Sequence, residues 1–238
     1  DIRQESGRRL AVEHPAVADL VIGILGSGYH ASIGYSEQSG IPHSLTALIR
    51  NPNYHKRTFI EPNHAERVRG VYLKFTEDKK EINGKRIVVI DDSIVRLTTS
   101  SGLVGKLRLA GATGLDFRVA SPPIKNPCFY GIDFPDKAEL VAASLSVPEI
   151  EQHLRLRFFG VDYGREELNE IVRGNVLSQD DVEEIVGVSM RQDRNFLRRA
   201  SKKKKADHAI VNPFDLDQGR FTLGYLSEQG LVESFGID

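Results

Sequence analysis

Over the first 120 positions, short apolar runs of strand length alternate with segments whose apolar residues recur at helical spacing. Ile2 to Glu13 predicts an opening helix. Leu20 to Ile24 predicts a buried strand that runs into the tight loop Gly26-Ser27-Gly28. Ala31 to Ser39 reads as helix and Leu45 to Ile49 as strand. Arg50 to Asn63 is polar, with Asn-Pro and Pro-Asn pairs, and predicts a long loop. Ile87 to Ile90 is β-branched throughout and leads into Asp91-Asp92. Thr99 to Ala110 then predicts a helix with Leu103, Val104 and Leu107 on one face, and Phe117 to Ala120 a strand stopped by Pro122-Pro123. Strands alternating with helices predict crossover units: an α/β fold with a parallel sheet flanked by helices, followed by a helical C-terminal part.

The pattern changes after residue 135. Helix starts are expected near Asp136, Val147, Glu166 and Asp180, and Arg191 to Lys205 is strongly basic. Asn212 to Gly219 reads as a turn-rich linker, and Phe221 to Phe235 closes the chain. Composition adds exclusions. The 238 residues carry a net charge of −1, so the whole chain makes no electrostatic case for nucleic acid or membrane. No apolar run approaches the roughly 20 residues of a membrane helix. The single cysteine, Cys128, excludes an internal disulfide and any site built from several of this chain's thiolates. A reducing cytoplasm is the expected setting. The chain opens on Asp1 and its only methionine is Met190, which is read as a trimmed start.

The chemistry is concentrated in Ile87 to Ser100. A buried strand delivers Asp91 and Asp92 to the carboxyl edge of a sheet, where ligands of open α/β sheets bind. A short loop, Ser93 to Arg96, leads to Thr98-Thr99-Ser100 at the start of the next helix. Helix starts carry unpaired N–H groups and a positive dipole end that suit a phosphate, and three hydroxyls add donors. Two carboxylates can accept hydrogen bonds from the paired hydroxyls of a ribose. The string therefore describes a cradle for a sugar phosphate. The bland alternative is a strand ending in solvated aspartates before a Thr/Ser helix cap.

The string from Ile87 to Ser100 resembles the phosphoribosyl pyrophosphate signature of the type I phosphoribosyltransferases, and in particular of the amidophosphoribosyltransferase family. Leu20 to Gly23, Ala31 to Tyr35 and Ser39 to Pro42 are similar to that family's first strand and helix. Arg57 to Ile60 resembles the end of its active-site loop, and Arg67 to Val71 with Leu73-Lys74 the segment that follows. Ser121 to Asp133 is close to a family-specific string, and Leu223 to Ser227 with Gly230-Leu231 resembles its tail. The resemblance covers residues 1–154 as a phosphoribosyltransferase domain and resumes over 221–238. Residues 155–220 are left as an insertion, expected to be largely helical with a basic segment.

The resemblance implies an enzyme forming 5-phosphoribosylamine and pyrophosphate from phosphoribosyl pyrophosphate and ammonia, the first step of de novo purine synthesis. It implies Mg²⁺ held by Ser27, Asp91 and Asp92. Asp91, Asp92, Ser93, Ile94, Val95, Arg96, Thr98, Thr99 and Ser100 would bind the ribose and its 5′-phosphate. Gly26, Ser27 and Gly28 would lie by the pyrophosphate. Arg50, Tyr54 and Arg57 would be catalytic residues of a loop that closes and excludes water. Ammonia would come from a glutaminase domain or subunit, for which this sequence holds no counterpart. A homo-oligomer is expected, and nucleic acid is disfavoured as a partner because the most basic run, Arg198 to Lys205, lacks interleaved aromatics. No iron–sulfur cluster is expected, since Cys128 alone cannot hold a cubane.

The sequence also departs from the family pattern. Leu25-Gly26 replaces the usual Pro-Asp, and Leu97 stands at a glycine position. Asn53, His55 and Lys56 lie in a loop one residue longer than usual. Leu97 is expected to push the phosphate turn outward, or to cost about 1–2 kcal/mol if that turn is left-handed. These changes point toward impaired activity. They leave open a regulatory protein of the same fold that binds phosphoribosyl pyrophosphate or nucleotides without turnover. A third reading is a phosphoribosyltransferase that uses a free base as nucleophile.

Overall fold

The computed structural model describes residues 1–26, 28–51, 74–128, 130, 136–158 and 221–236. Helix α1 (Ile2–Glu13) precedes strand β1 (Leu20–Gly23), and α2 (Gly28–Ser39) precedes β2 (His43–Ser44). Strands β3 (Leu48–Arg50) and β4 (Phe75–Glu77) form a separate antiparallel pair, with Arg50 opposite Phe75. After the one-turn α3 (Lys79–Ile82) come β5 (Arg86–Asp91), α4 (Leu97–Leu109) and β6 (Gly114–Val119). A 3₁₀ turn at Lys137–Glu139, α5 (Val141–Ser144) and α6 (Val147–Phe158) follow. Strand β7 (Phe221–Tyr225) and α7 (Glu228–Ser234) end the described chain.

Five strands make one parallel sheet in the order β2-β1-β5-β6-β7. Strands β1 and β6 are buried along their whole length, and β5 is buried from Ile87 to Asp91. That is why these strands read as continuous apolar runs: helices cover both faces. Ile87 and Val89 face the larger core with Leu103, Val104 and Leu107 of α4 and with Ile150, Leu154 and Phe158 of α6. Val88 and Ile90 face the smaller core with Leu10 of α1 and Ala31 and Tyr35 of α2. Among the described residues, no helix is long and apolar enough to cross a membrane.

Three sequence expectations are corrected. The run Leu45 to Ile49 is not one strand. The Ser44 hydroxyl accepts the Thr46 and Ala47 N–H groups at 3.1 and 2.9 Å, and this local turn separates β2 from β3. Arg50 ends β3 instead of opening a loop. Strand β6 begins at Gly114, three residues before the expected Phe117. Its polar members hid its extent. Asp116 and Arg118 are buried, paired with each other at 3.2 Å and with Thr222 of β7. The helical starts at Asp136 and Val147 are present, the first as a 3₁₀ turn capped by its own side chain. Those at Glu166 and Asp180, the basic run and the linker lie outside the described residues.

Strand β7 was not legible as a strand, and it belongs to the same sheet. Besides the Thr222 contacts, its Tyr225 carbonyl lies 2.8 Å from His14 Nε2, and Glu13 accepts the Ser227 N–H and hydroxyl, each at 2.7 Å. The C-terminal segment is thereby fastened to the end of α1.

Candidate active site

The strand order reverses between β1 and β5, so the carboxyl ends of these two neighbours frame a crevice, the place where doubly wound sheets take ligands. The loop after β1 and the loop after β5 touch there. Ile24 N–H donates to the Ile90 carbonyl at 2.8 Å. A Cβ on Gly28, the first residue of α2, would lie 2.5 Å from the same carbonyl oxygen, so only glycine allows this approach. Gly26 has φ +115°, a conformation that L side chains rarely adopt, and open space surrounds its missing side chain.

Asp91 is the last residue of β5 and is buried, whereas Asp92 is exposed. Asp91 Oδ1 accepts the Asp92 N–H at 2.9 Å. Burial, and then the adjacent Asp92 charge, push the Asp91 carboxyl well above the usual carboxylate range. A cation or a hydroxyl donor placed here would relieve that cost. Lys74, at the foot of β4, faces the pair. Burial and Arg50 lower its pKa, while Asp91 and Asp92 oppose the shift. The β3–β4 pair thus brings Lys74 to the two carboxylates, with the Arg50 charge near Lys74. The pair is held by Lys106 of α4, which donates to the Phe75 carbonyl and bridges Glu77 at 2.9 Å.

The loop from Ser93 to Arg96 uses its side chains for anchorage. Ile94 is 1% exposed and packs in the larger core. The Val95 carbonyl accepts the Val141 N–H at 2.9 Å, and the Arg96 guanidinium pairs with Glu139. Helix α4 starts immediately afterward, with no side-chain cap from Arg96. The N–H groups at its start, Leu97 to Thr99, have no partner within the helix and are therefore left for a ligand. Leu97 does not strain this turn. It is the first helical residue, 2% exposed, with its side chain in the core. Leucine is accommodated because its side chain points into the core.

The structure brings Asp91, Asp92, the Ser93–Arg96 loop, the α4 start, Gly26 and Gly28 to one crevice, and leaves Arg50 exposed at the end of β3 near Lys74. Of the three hydroxyl residues, Ser100 is buried and Thr99 half-buried. Ser27, Tyr54, Arg57 and the Thr98 side chain lie outside the described residues. Sequence reading did not assign roles to Lys74, Glu139 or Tyr225, because only the fold brings them to the acidic pair or its loop. Among the described residues no cluster of three metal-ligating side chains exists. Two hard carboxylates still fit Mg²⁺, which typically takes one or two carboxylates and completes its shell with water and phosphate oxygens.

No family model matches the chain. Curated relatives do. It is 54% identical over 140 residues to the amidophosphoribosyltransferase of Mycobacterium bovis, spanning 59% of this chain and 26% of that one. It is 48% identical over 152 residues to the Bacillus subtilis amidophosphoribosyltransferase, spanning 64% of this chain and 32% of that one. Over these stretches the chain is similar to the amidophosphoribosyltransferases. It spans about a third or less of the length of the curated relatives it matches. A solved structure agrees: glutamine phosphoribosylpyrophosphate amidotransferase from B. subtilis, complexed with ADP and GMP. It superposes with a TM-score of 0.62 at 34% identity, over 99% of this chain and 37% of that one. The sheet flanked by helices is thus the phosphoribosyltransferase fold of that family.

Proposed function

We propose that this chain is the phosphoribosyltransferase portion of an amidophosphoribosyltransferase, forming 5-phosphoribosylamine and pyrophosphate from phosphoribosyl pyrophosphate and ammonia. The observation that carries this is the Asp91-Asp92 pair at the β1/β5 switch point, beside an uncapped helix start and opposite Lys74. Asp91 and Asp92 accept hydrogen bonds from the ribose 2- and 3-hydroxyls. The N–H groups of Leu97 to Thr99, with the Ser100 hydroxyl, take the 5′-phosphate. Gly26, Ser27 and Gly28 line the pyrophosphate end, where Arg50, Lys74, Tyr54 and Arg57 supply positive charge and closure.

Mg²⁺, held by Asp91, Asp92 and Ser27, would neutralise charge on the leaving pyrophosphate. Ammonia is already a nucleophile, so the chain need not supply a strong base; its task is to hold C1 exposed and exclude water. Ammonia from a glutaminase domain or subunit, a homo-oligomeric state and a cytoplasmic setting belong to the same proposal. So does the division into residues 1–154 and 221–238 as one unit around a 155–220 insertion.

Pyrophosphate release from phosphoribosyl pyrophosphate at alkaline pH, with ammonium and separately with free bases, tests it. Ammonium-dependent release is expected, and no glutamate should form from glutamine. Release only with a base would point to a different transferase; binding without release would favour the regulatory reading.

A further inference from the structure

Among the described residues, the hydroxyl of Tyr225 is buried without a hydrogen-bond partner, in a residue only 7% exposed. Buried polar atoms are nearly always satisfied, and an exception calls for a ligand, a water or a partner that arrives later. Strand register tells where this one lies. Asp91 of β5 stands opposite Val119 of β6, and Val119 opposite Tyr225 of β7. Residues in lateral register share a face of the sheet, so the phenol and the Asp91 carboxyl lie on one side, two strand spacings or about 10 Å apart at the backbone. A tyrosine side chain covers most of that span. The two groups sense each other: burial first, and then the Asp91 charge, push the Tyr225 phenol up and keep it in its donating form. The backbone end of Tyr225 is fastened independently by its carbonyl at His14 Nε2. Asp91, in turn, has one oxygen engaged by the Asp92 N–H, and a carboxylate has room for further donors.

We propose that Tyr225 is a positioning residue whose hydroxyl donates a hydrogen bond to the Asp91 carboxylate, directly or through one water, when metal-bound sugar pyrophosphate occupies the crevice. This rests on the ligand reading above and deepens it. The C-terminal strand then does more than close the sheet: it fixes the carboxylate that meets the diol and the metal. Lys74, beside β4, adds a cation to the surroundings of the same carboxylate.

Tyr225→Phe removes a single oxygen and keeps the ring in the core. The full chain and this variant are titrated calorimetrically with phosphoribosyl pyrophosphate plus Mg²⁺, and with ribose 5-phosphate in the absence of metal. The variant should keep the melting temperature of the unliganded protein or exceed it. It should lose about tenfold or more in Mg²⁺-dependent affinity, and keep its metal-free affinity for ribose 5-phosphate. A role in packing alone would leave both affinities unchanged, because the ring stays in place. Equal Mg²⁺-dependent affinity in both proteins overturns the proposal and leaves the ligand reading intact. A lower melting temperature of the unliganded variant also overturns it, because the hydroxyl would then have a structural partner already. No binding of phosphoribosyl pyrophosphate by the unsubstituted chain overturns both.

Discussion

The crevice has two walls built on different principles. The wall after β5 derives its shape from the core. Ile94 and Leu97 are buried in it, Arg96 is tied to Glu139, Val95 to Val141, and the backbone donors of α4 are left over. The wall after β1 derives its shape from a turn. Gly26 holds a positive φ with nothing around its missing side chain, and Gly28 presses against the Ile90 carbonyl. Both walls depart from the family pattern, at Leu97 and at Leu25-Gly26, but the departures are not equivalent. A core-shaped wall absorbs a larger residue by turning it inward. A turn-shaped wall has no such reservoir, and the residue lost there takes an acidic group with it.

The largest expected effect breaks the core-shaped wall chemically. Asp91→Asn with Asp92→Asn removes two charge-assisted hydrogen bonds of about 1.5–3 kcal/mol each, together a loss beyond about a hundredfold in Mg²⁺-dependent affinity for phosphoribosyl pyrophosphate. Calorimetric titration reads it, and unchanged affinity would remove the assignment.

Leu97→Gly breaks the same wall mechanically. Leu97 packs in the core, so the glycine of the family pattern would leave a hole there. Emptying its site costs about 2–5 kcal/mol, as for other large-to-small core changes. Urea unfolding should show that loss, with weaker binding of ribose 5-phosphate. Tighter binding at unchanged stability would mean that Leu97 does crowd the phosphate.

The helix behind this wall should make it acid-labile. His153 on α6 is 8% exposed, and burial, followed by the Arg157 charge, lowers its pKa to about 4. A depressed native pKa means that the unfolded chain binds the proton first, at about 6.5. Stability from this group is therefore complete above pH 6.5 and falls as the pH drops toward 4. At about 1.4 kcal/mol per unit, some two and a half units give roughly 3 kcal/mol. Denaturation midpoints at pH 7 and 4.5 should differ less for His153→Leu than for the unsubstituted chain; an equal difference refutes this.

The smallest effect probes the turn-shaped wall. Gly26→Asp returns an acid to the β1 loop but forces a side chain onto φ +115°. A stability loss of about 1–2 kcal/mol is expected from the backbone. Affinity for ribose 5-phosphate should stay within about twofold, because that ligand touches the other wall. A large change in it would show that the walls are not separable.

Local pattern carried much of the molecule. The apolar runs of β1 and β5 and the helices at α1, α2 and α4 were legible because burial on both faces of a sheet, or on one face of a helix, writes itself into consecutive residues. Asp91 and Asp92 were legible for the same reason: a carboxylate pair directly after a buried strand can only stand at a sheet edge. Tertiary structure decided what periodicity cannot encode. Asp116 and Arg118 are buried because each neutralises the other beside Thr222, a residue from the far end of the chain. Leu97 points inward because α6 and the sheet leave a core for it. Lys74 and Tyr225 sense the Asp91 charge because the antiparallel β3–β4 pair and the parallel β6–β7 register set them on its side of the sheet or beside it. Such placements follow from the order in which strands pair. That order is set by long-range burial and hydrogen bonding between segments distant in the chain, which no local run of residues records.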